Sequence, residues 1–439
     1  MGSETALGDI RVLDMAGPIG LYCTKLLADL GADVIKIERP GGDPTRFIGP
    51  FFHDDPHPEK SLYWFNLNTN KKSITLNLET VDGRKILKKL VKTADIMIET
   101  FPPGYLEEMG LAYSVLREIN PALILTSITP FGQAGPYMDY KASDIVGIAM
   151  GGLMFFGGHP EDPPNRPGAS QGYHSAALSA AAATLIALYH RDMTGEGQQI
   201  DVSMQESVAN CLMWAMPYYD LRKGITIRDG RCITQPKPFP RITMAWYDLF
   251  PCKDGWVVGH GLAGAFSGGV EAWDNMVAWM ESEGMAGDLK EERWRDVAQK
   301  LGDAAFLYIL VLTDPEGFAL MVELKEHIDK LIGDFLLNKT KREIYEKVQP
   351  WRVPTTVIHT IKEVAEDPQL NARNFFVDVE HPNLGVTIKY PGVPYRLSET
   401  PAGIARCAPL IGEHNQEIYE KELGLPKEKL AVLKSAGVI

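Results

Sequence analysis

Short apolar runs alternate with amphipathic stretches along the N-terminal half of this chain. The strand-like runs, rich in Val, Ile and Leu, cover residues 10–14, 34–38, 73–77, 95–99, 123–127 and 200–203. The stretches with helical apolar spacing cover residues 21–30, 81–93 and 113–119. Strand, helix and strand in this order form βαβ units, which build a parallel sheet with helices on both faces. We therefore predict an α/β fold of the doubly wound, Rossmann-like kind.

The pattern changes further along the chain. Two apolar helices are predicted at 140–157 and 174–192, with a loop rich in Pro and Gly, 157–168, between them. Residues 242–260 have the pattern of a β-hairpin, charged helices follow, and short strands and turns are predicted from Tyr390 onward. Because 439 residues exceed the usual size of one core, we predict a second, smaller α+β domain.

Composition narrows the possible partners. The net charge of −13 argues against unspecific binding to the phosphate backbone of nucleic acids. The five cysteines lie far apart without a CxxC pair, so neither a disulfide framework nor a metal site is expected. The N-terminus lacks the pattern of a signal peptide, and the apolar stretch 176–188 is shorter than the ~20 residues that span a bilayer. We therefore expect a cytoplasmic protein with no membrane, nucleic-acid or metal partner.

Candidate ligand-binding groups follow the predicted strands. The segment 17–20, Gly-Pro-Ile-Gly, could cradle a phosphate at a helix N-terminus, or it could be a plain tight turn, since Pro18 has no amide donor. Arg39 follows the second strand, at the edge where open α/β sheets bind ligands. Lys71 comes directly after an Asn-rich loop, 66–70, and is either a solvated lysine or a contact to phosphate or adenine.

The sequence also contains two candidates for acid–base chemistry. His174 enters an apolar helix, where a histidine is more often a packed, hydrogen-bonded residue than a catalytic one. Asp144 precedes another apolar helix and is either its N-cap or a catalytic carboxylate. Because no Ser-His-Asp elbow or Walker loop is found, the residues alone leave the chemistry open.

Blocks of sequence in a characteristic order extend over nearly the whole chain, and residues 220–350 are the weakest part. The blocks are 12–14, 26–38, 66–76, 94–104, 194–207, 367–370, 391–394 and 412–415. In their order and number they resemble the class III CoA-transferase family, which includes formyl-CoA and carnitine CoA-transferases and the 2-methylacyl-CoA racemases.

The resemblance implies an architecture. A large Rossmann-like domain would combine residues 1–215 with 390–439, and a smaller domain would cover 230–375. Residues 216–229 and 376–389 would be the linkers between them. Two such chains would thread through each other as an interlocked dimer, with the active site between the large domain of one chain and the small domain of the other.

The resemblance also implies CoA contacts, and this chain matches them unevenly. They fall on the loop after the first strand, which is one residue short here, and on Arg39, Lys71 and Lys141. An asparagine expected after the fourth strand is Thr100, and an arginine expected before a Met-Gly pair is Glu108. We take Arg39, Lys71, Thr100 and Lys141 as candidate CoA-binding residues.

The catalytic position departs most from the family. Its covalent nucleophile is an aspartate, and counting back from Thr194 places that position on Tyr173. The racemase branch needs the same aspartate and a histidine where this chain has Ser143. A phenol with a pKa of about 10 is mostly protonated at neutral pH and is a poor substitute for a carboxylate.

These departures lead to one prediction and two alternatives. We predict a subunit of a heteromeric, succinyl-CoA:benzylsuccinate-type CoA-transferase, in which a homologous partner supplies the aspartate. Its substrates would be CoA thioesters such as succinyl-CoA and a small carboxylic acid, with no permanently bound cofactor. The first alternative is a stand-alone homodimeric transferase or racemase-like enzyme that uses Tyr173 or His174 as its acid–base group. The second is a non-catalytic CoA-binding protein.

Overall fold

A computed structural model describes residues 5–158, 162–213, 215–223, 225, 233–235, 241–243, 248–259 and 269–439. The chain divides into two compact units. The large unit comprises the residues up to Met154, Arg166–Trp214 and Asp367–Ile439, and the small unit comprises Phe155–Asn165 and Ala215–Glu366. The hypothetical linker 216–229 and the start of the small domain at residue 230 fall partly outside the described residues.

The large unit is built on one parallel sheet. Its strands are β1 (Arg11–Met15), β2 (Asp33–Glu38), β3 (Lys72–Thr75), β4 (Ile96–Glu99), β5 (Ile124–Thr129) and β6 (Gln199–Ser203). Their order across the sheet is β3-β2-β1-β4-β5-β6, and all neighbouring pairs are parallel. The order reverses between β1 and β4, which is where doubly wound sheets bind ligands. The predicted α/β fold is confirmed, and each strand predicted for this sheet between residues 10 and 203 overlaps an observed one.

Helices cover both faces of this sheet. They are α1 (Leu21–Asp29), α2 (Leu62–Leu67), α3 (Val81–Val91), α4 (Tyr105–Glu108), α5 (Tyr113–Ile119), α6 (Asp144–Met150), α7 (Gln171–Thr194) and α8 (Met204–Asn210). Successive strand residues point to opposite faces, so Val12 packs in the core that contains α1 and α7, and Leu13 packs in the core that contains α3 and α5. Buried alanines at 176, 177 and 180 let α7 lie close to the sheet.

Two helix predictions need correction. The helix predicted over 140–157 is the shorter α6, which ends at Met150 ahead of two glycines, and a 3₁₀ turn follows at Leu153–Phe156. The helix predicted from residue 174 begins at Gln171, so Tyr173 is part of its first turn. Gly197, in the motif after this helix, has no room for a side chain, because a Cβ there would lie 2.0 Å from the Leu123 carbonyl oxygen.

The second segment of the small unit begins with α9 (Ala215–Arg222) and then contains paired strands and helices. The strands are β7 (Ile233–Gln235), β8 (Arg241–Thr243), β9 (Asp248–Cys252), β10 (Gly255–Gly259) and β11 (Thr355–Val357). The helices are α10 (Gly269–Ser282), α11 (Glu292–Leu301), α12 (Ala304–Thr313), α13 (Pro315–Leu336), α14 (Lys341–Val348) and α15 (Ile361–Glu366). The predicted hairpin is confirmed by the antiparallel pair β9 and β10, while residues 244–247 and 260 lie outside the described part.

The C-terminal tail belongs to the large unit. It contains α16 (Pro368–Ala372), the antiparallel hairpin of β12 (Phe376–His381) and β13 (Val386–Pro391), a π-helix (Gln416–Glu422) and α17 (Lys427–Ser435). The prediction of short strands beyond Tyr390 is wrong, because residues 392–439, all of which the structure describes, contain no strand. This segment instead forms the π-helix and α17, whose apolar side chains, such as Tyr419 and Leu433, pack in the core on one face of the sheet. The hairpin occupies the segment that the resemblance assigned to a linker, 376–389.

No helix within the described ranges combines the length and the apolar character that crossing a membrane requires.

Candidate functional site

A cleft opens at the carboxyl edge of the large unit's sheet. Its volume is about 240 Å³, and it lies where the strand order reverses. The lining residues follow the ends of four strands and include Met15, Gly17, Pro18, Arg39, Asp43, Leu78, Glu79, Thr100, Phe101 and Tyr105. Two of the predicted CoA-binding residues, Arg39 and Thr100, are therefore brought together here, whereas Lys71 and Lys141 do not line the cleft.

The loop after β1 is a turn whose amides are largely engaged within the protein. Ala16 N donates to Asp14 Oδ1 at 2.9 Å, Gly17 N donates to Thr100 Oγ1 at 2.7 Å, and Gly20 N donates to the Gly17 carbonyl at 3.0 Å. Pro18 has no amide hydrogen to offer. These three amides are therefore engaged within the protein, and the Gly20-to-Gly17 bond gives residues 17–20 the form of a tight turn, one of the two predicted possibilities.

Arg39 is the exposed cation of the cleft. Within the part of the chain that the structure describes, its guanidinium has no ion pair or side-chain hydrogen bond, so its donors are available to a ligand. The neighbouring Glu38 is different, because Arg46 holds both of its carboxylate oxygens, at 2.7 and 2.8 Å. Dinucleotide-binding sheets use an acidic residue near this strand end to hold a ribose hydroxyl, and Glu38 is not free for that task.

Lys71 lies in the core, with no exposed surface. Its ammonium group donates to Asp14 Oδ2 at 3.0 Å, Thr24 Oγ1 at 2.8 Å and Asn68 Oδ1 at 2.9 Å. An ammonium group has three hydrogens, and these three acceptors occupy them. The structure thus places Lys71 in a structural role and not as an exposed phosphate contact, which corrects the prediction from its polar sequence context.

A buried network of ion pairs supports the loop after β1. Lys36, also fully buried, donates to the Ala16 carbonyl at 2.5 Å and lies 3.1 Å from Asp43 and 3.7 Å from Asp14. Burial alone would raise the pKa of Asp14, but the charges of Lys36 and Lys71 lower it below its ordinary value. Burial lowers the pKa of Lys71 to about 8, so it is still largely charged at neutral pH.

The segment after β4 forms the far wall of the cleft. Thr100 accepts the Gly17 amide, and the rings of Phe101 and Tyr105 stack with centroids 4.7 Å apart. Glu99 lies beneath them, 3% exposed, and accepts the Phe101 amide at 2.6 Å. Burial raises the pKa of Glu99 to about 7. The stacked rings give the cleft an apolar surface on which a flat heterocycle can lie.

The first turn of α7 carries the position that departs from the family. The amide of Tyr173 donates to Asp144 Oδ1 at 3.1 Å, and Asp144 Oδ2 lies 3.4 Å from Arg166 Nη2. Burial raises the pKa of the half-buried Tyr173 phenol above its ordinary value, and the negative charge of Asp144 adds to this effect. Burial likewise raises the pKa of Tyr63 to about 12, and the charges of Tyr173, Asp43 and Asp144 contribute. Both phenols are therefore hydrogen-bond donors at neutral pH.

The remaining candidates have simpler surroundings. Asp144 is the first residue of α6, and Ser143 is its N-cap, so Asp144 is not the cap of its own helix. His174 Nδ1 lies 3.0 Å from the Ser170 carbonyl, and its ring packs on Tyr22 with centroids 4.9 Å apart, which is the structural role expected of a histidine in this place. Lys141 is exposed on the loop before α6.

Sequence reasoning missed Lys36, Arg46 and Tyr63. One signal was present for Lys36, since a lysine inside the apolar strand 33–38 must find a buried partner if the strand is covered on both faces. Nothing local distinguished Arg46 or Tyr63 from surface residues. Among the described residues, no cluster of His, Cys, Asp and Glu side chains could hold a metal ion.

Comparisons with known proteins agree with this architecture. The family model for CoA-transferase family III matches residues 7–415. The succinyl-CoA:(R)-benzylsuccinate CoA-transferase subunit BbsE of Thauera aromatica is 33% identical, over 98% of this chain and 97% of its own length. The succinyl-CoA–D-citramalate CoA-transferase of Chloroflexus aurantiacus is 35% identical, over 99% of this chain and 98% of its own length.

A solved structure extends the likeness to three dimensions. A CAIB/BAIF family protein from Brucella suis, 27% identical, aligns with a TM-score of 0.77 over 95% of this chain and 99% of that one. These findings confirm the resemblance seen in the sequence, and with it a CoA-transferase as the class of enzyme. The chain belongs to CoA-transferase family III.

Proposed function

We propose that this chain is the non-nucleophilic subunit of a class III CoA-transferase. The enzyme moves CoA between a thioester such as succinyl-CoA and a small carboxylic acid, and a homologous partner chain supplies the aspartate nucleophile. Two relatives are named as enzymes that use succinyl-CoA, and one of them is named as a subunit, which supports both parts of the proposal.

The observation that carries the proposal is the phenol of Tyr173. Class III transfer begins when a carboxylate attacks the thioester carbonyl, which forms a mixed anhydride and releases the CoA thiolate. The thiolate then attacks the aspartyl carbonyl and releases the donor acid as its carboxylate, so that CoA is held on the enzyme as a thioester until the second acid accepts it. Tyr173 has no carboxyl group to form this anhydride or the later thioester, and burial together with the nearby charge of Asp144 raises the pKa of its phenol above the ordinary value.

The cleft at the sheet edge is the proposed binding place for the nucleotide end of CoA. Arg39 offers an unpaired guanidinium to a phosphate, and Phe101 and Tyr105 offer an apolar wall to the adenine ring. Because Glu38 is neutralised by Arg46, the cleft suits a phosphorylated ribose better than the free ribose hydroxyls of NAD. Thr100 shapes the cleft through Gly17, and Lys141 would contact the ligand only from outside the cleft lining.

The surface of α7 supports association with a second chain. Leu178, Ile186, Tyr189 and Met193 recur at helical spacing, and between 52% and 72% of each is exposed. Exposed apolar faces of this length mark interaction surfaces in soluble proteins. We propose that the partner is a homologous chain that bears the aspartate, and that the two chains form the interlocked dimer of the family.

Purification and assay separate this proposal from its alternatives. We expect the chain to co-purify with a homologue from its native source, and transfer from succinyl-CoA to a dicarboxylic acid to require both chains. Turnover by the isolated chain would instead favour a stand-alone enzyme that uses Tyr173 or His174. Binding of CoA without turnover in any mixture would favour a non-catalytic CoA-binding protein.

A further inference from the structure

We infer that Asp144 is a positioning residue that caps the first turn of α7 from a different helix and so holds residue 173 in place. The inference rests on the proposed role of position 173 in CoA transfer and deepens it. The structure holds the backbone of this position through Asp144, although the side chain there is a tyrosine.

The normal cap of α7 is missing. Ser170, at the N-cap position, has φ +53° and makes no side-chain hydrogen bond to the helix. Asp144 Oδ1 takes over this function, because it accepts the amide of Tyr173 in the first turn at 3.1 Å. Asp144 is only 4% exposed and is itself the first residue of α6, so its negative charge lies at the positive ends of two helices.

A glycine makes the contact possible. Gly172 lies one residue before Tyr173, and a Cβ at this position would lie 3.1 Å from Asp144 Oδ1 and 3.2 Å from Ile148 Cγ1. Both distances are tighter than ordinary van der Waals contact. Any larger residue would therefore push the carboxylate away from the amide that it caps.

The turn before α7 is strained and is held from several sides. Ala169 and Ser170 have φ of +63° and +53°, a region that residues with a side chain rarely adopt. His174 binds the Ser170 carbonyl with both its amide, at 3.1 Å, and its Nδ1, at 3.0 Å. Arg166, on the preceding loop, pairs with Asp144 Oδ2. Strained backbone persists where its surroundings fix it, and such turns cluster at functional sites.

The inference predicts a latent activity. The carboxylate introduced by Tyr173→Asp should stand where this support holds it and attack the carbonyl carbon of an acyl-CoA. The new carbon–oxygen bond forms as the carbon–sulfur bond breaks, CoA leaves as the thiolate and takes a proton from water, and a mixed anhydride remains on the chain. Hydroxylamine then attacks the aspartyl carbonyl of the anhydride, expels the acyl group as its carboxylate and leaves an aspartyl hydroxamate on the chain, which is detected by intact mass.

The first arm of the test follows the amide of Tyr173 by hydrogen exchange in the full chain. Asp144→Ala removes the acceptor, Asp144→Asn keeps an oxygen there, and Asp139→Ala is a matched control on the exposed loop before α6. We expect Asp144→Ala to lower the protection of this amide by about tenfold, as for the loss of a helix cap. Asp144→Asn should restore most of the protection, and Asp139→Ala should match the wild type.

The second arm combines the same changes with Tyr173→Asp and uses succinyl-CoA as the probe. Asp144→Ala should slow formation of the adduct by about tenfold or more, because misplacement of a reacting group is costly. The dissociation constant for CoA should stay the same, which a general loss of structure would not allow. Asp144→Asn should recover most of the rate.

Two results would overturn the inference. One is full protection of the Tyr173 amide in Asp144→Ala, and the other is a Tyr173→Asp chain that binds CoA but forms no adduct or forms it equally fast without Asp144. If Asp144→Ala does not fold, Gly172→Ala decides, since the added methyl group should reduce both protection and adduct formation. A wild-type chain that binds no CoA contradicts the proposed function, whereas hydrogen exchange still decides the role of Asp144.

Discussion

Replacement of Arg39 by Ala tests whether this chain has its own CoA site. Arg39 is exposed, lines the cleft and is free of protein partners in the described part of the chain, so its removal breaks no internal contact. The free energy of unfolding should therefore change by less than about 0.5 kcal/mol. Binding of CoA should weaken by about 1–3 kcal/mol, the range for a charge-assisted hydrogen bond, which corresponds to a roughly 5- to 150-fold higher dissociation constant.

Titration calorimetry with CoA and with dephospho-CoA measures this effect. If Arg39 binds the ribose phosphate, Arg39→Ala should weaken only the binding of CoA, and dephospho-CoA should bind both proteins alike. Arg39→Lys keeps the positive charge but lacks the planar guanidinium, so its dissociation constant for CoA should lie between those of the wild type and Arg39→Ala. Arg117→Ala is the matched control, because Arg117 is a half-exposed arginine that does not line the cleft and whose ion-pair partner within the described ranges is Glu196, at 3.5 Å.

Two outcomes would refute the reasoning. Equal isotherms for wild type and Arg39→Ala with both ligands would show that the cleft does not hold the phosphate. An equal loss of CoA affinity in Arg39→Ala and in Arg117→Ala would show that CoA is attracted by general surface charge and not by a specific site.

Four further predictions follow from the same structure. Lys71→Met should lower the free energy of unfolding by about 3–5 kcal/mol in denaturant titrations, because it removes the closer of the two lysines that neutralise the buried Asp14; a change below about 1 kcal/mol would contradict the network. Tyr173→Phe should leave kcat of the two-chain enzyme nearly unchanged, and a drop of about 10²-fold would place the phenol in the chemistry. Ile186→Glu should abolish association with the partner in native mass spectrometry while the melting temperature of the chain stays constant. Burial lowers the pKa of His381 below its ordinary value of about 6.5, so on acidification the unfolded chain takes up a proton at a higher pH than the folded chain. The free energy of unfolding should therefore fall as the pH drops below about 6.5, by at most about 1.4 kcal/mol per pH unit, and His381→Phe should reduce that slope.

The fold could be predicted because its signals are local. Strands rich in Val, Ile and Leu alternate with amphipathic helices along the chain, and most strands of the parallel sheet are buried along nearly their whole length. The start of α7 was misplaced because its cap, Asp144, is 29 residues away from Tyr173 and leaves no mark in the local sequence. The C-terminal tail was misjudged because its apolar residues pack as helices on a surface formed much earlier in the chain.

The candidate site was predictable only in part. Arg39 was found because the end of a parallel strand is a favoured place for ligands, whereas Thr100 was found only through the resemblance to the family; both line the cleft. Lys71 looked exposed among polar neighbours, but its partners Asp14 and Thr24 are 57 and 47 residues away, so its burial could not be read from its surroundings in the sequence. Long-range contacts, such as the hydrogen bond from Arg46 Nη2 to the Pro409 carbonyl 363 residues away, likewise depend on tertiary structure.

The most direct test of the central claim is to locate the acyl group during turnover. The complex of this chain with its homologous partner is mixed with succinyl-CoA, quenched with hydroxylamine, and both chains are weighed by intact mass spectrometry. The account predicts a hydroxamate on the aspartate of the partner and an unmodified mass for the chain that carries Tyr173. A modified mass for this chain, or full turnover without the partner, would contradict it.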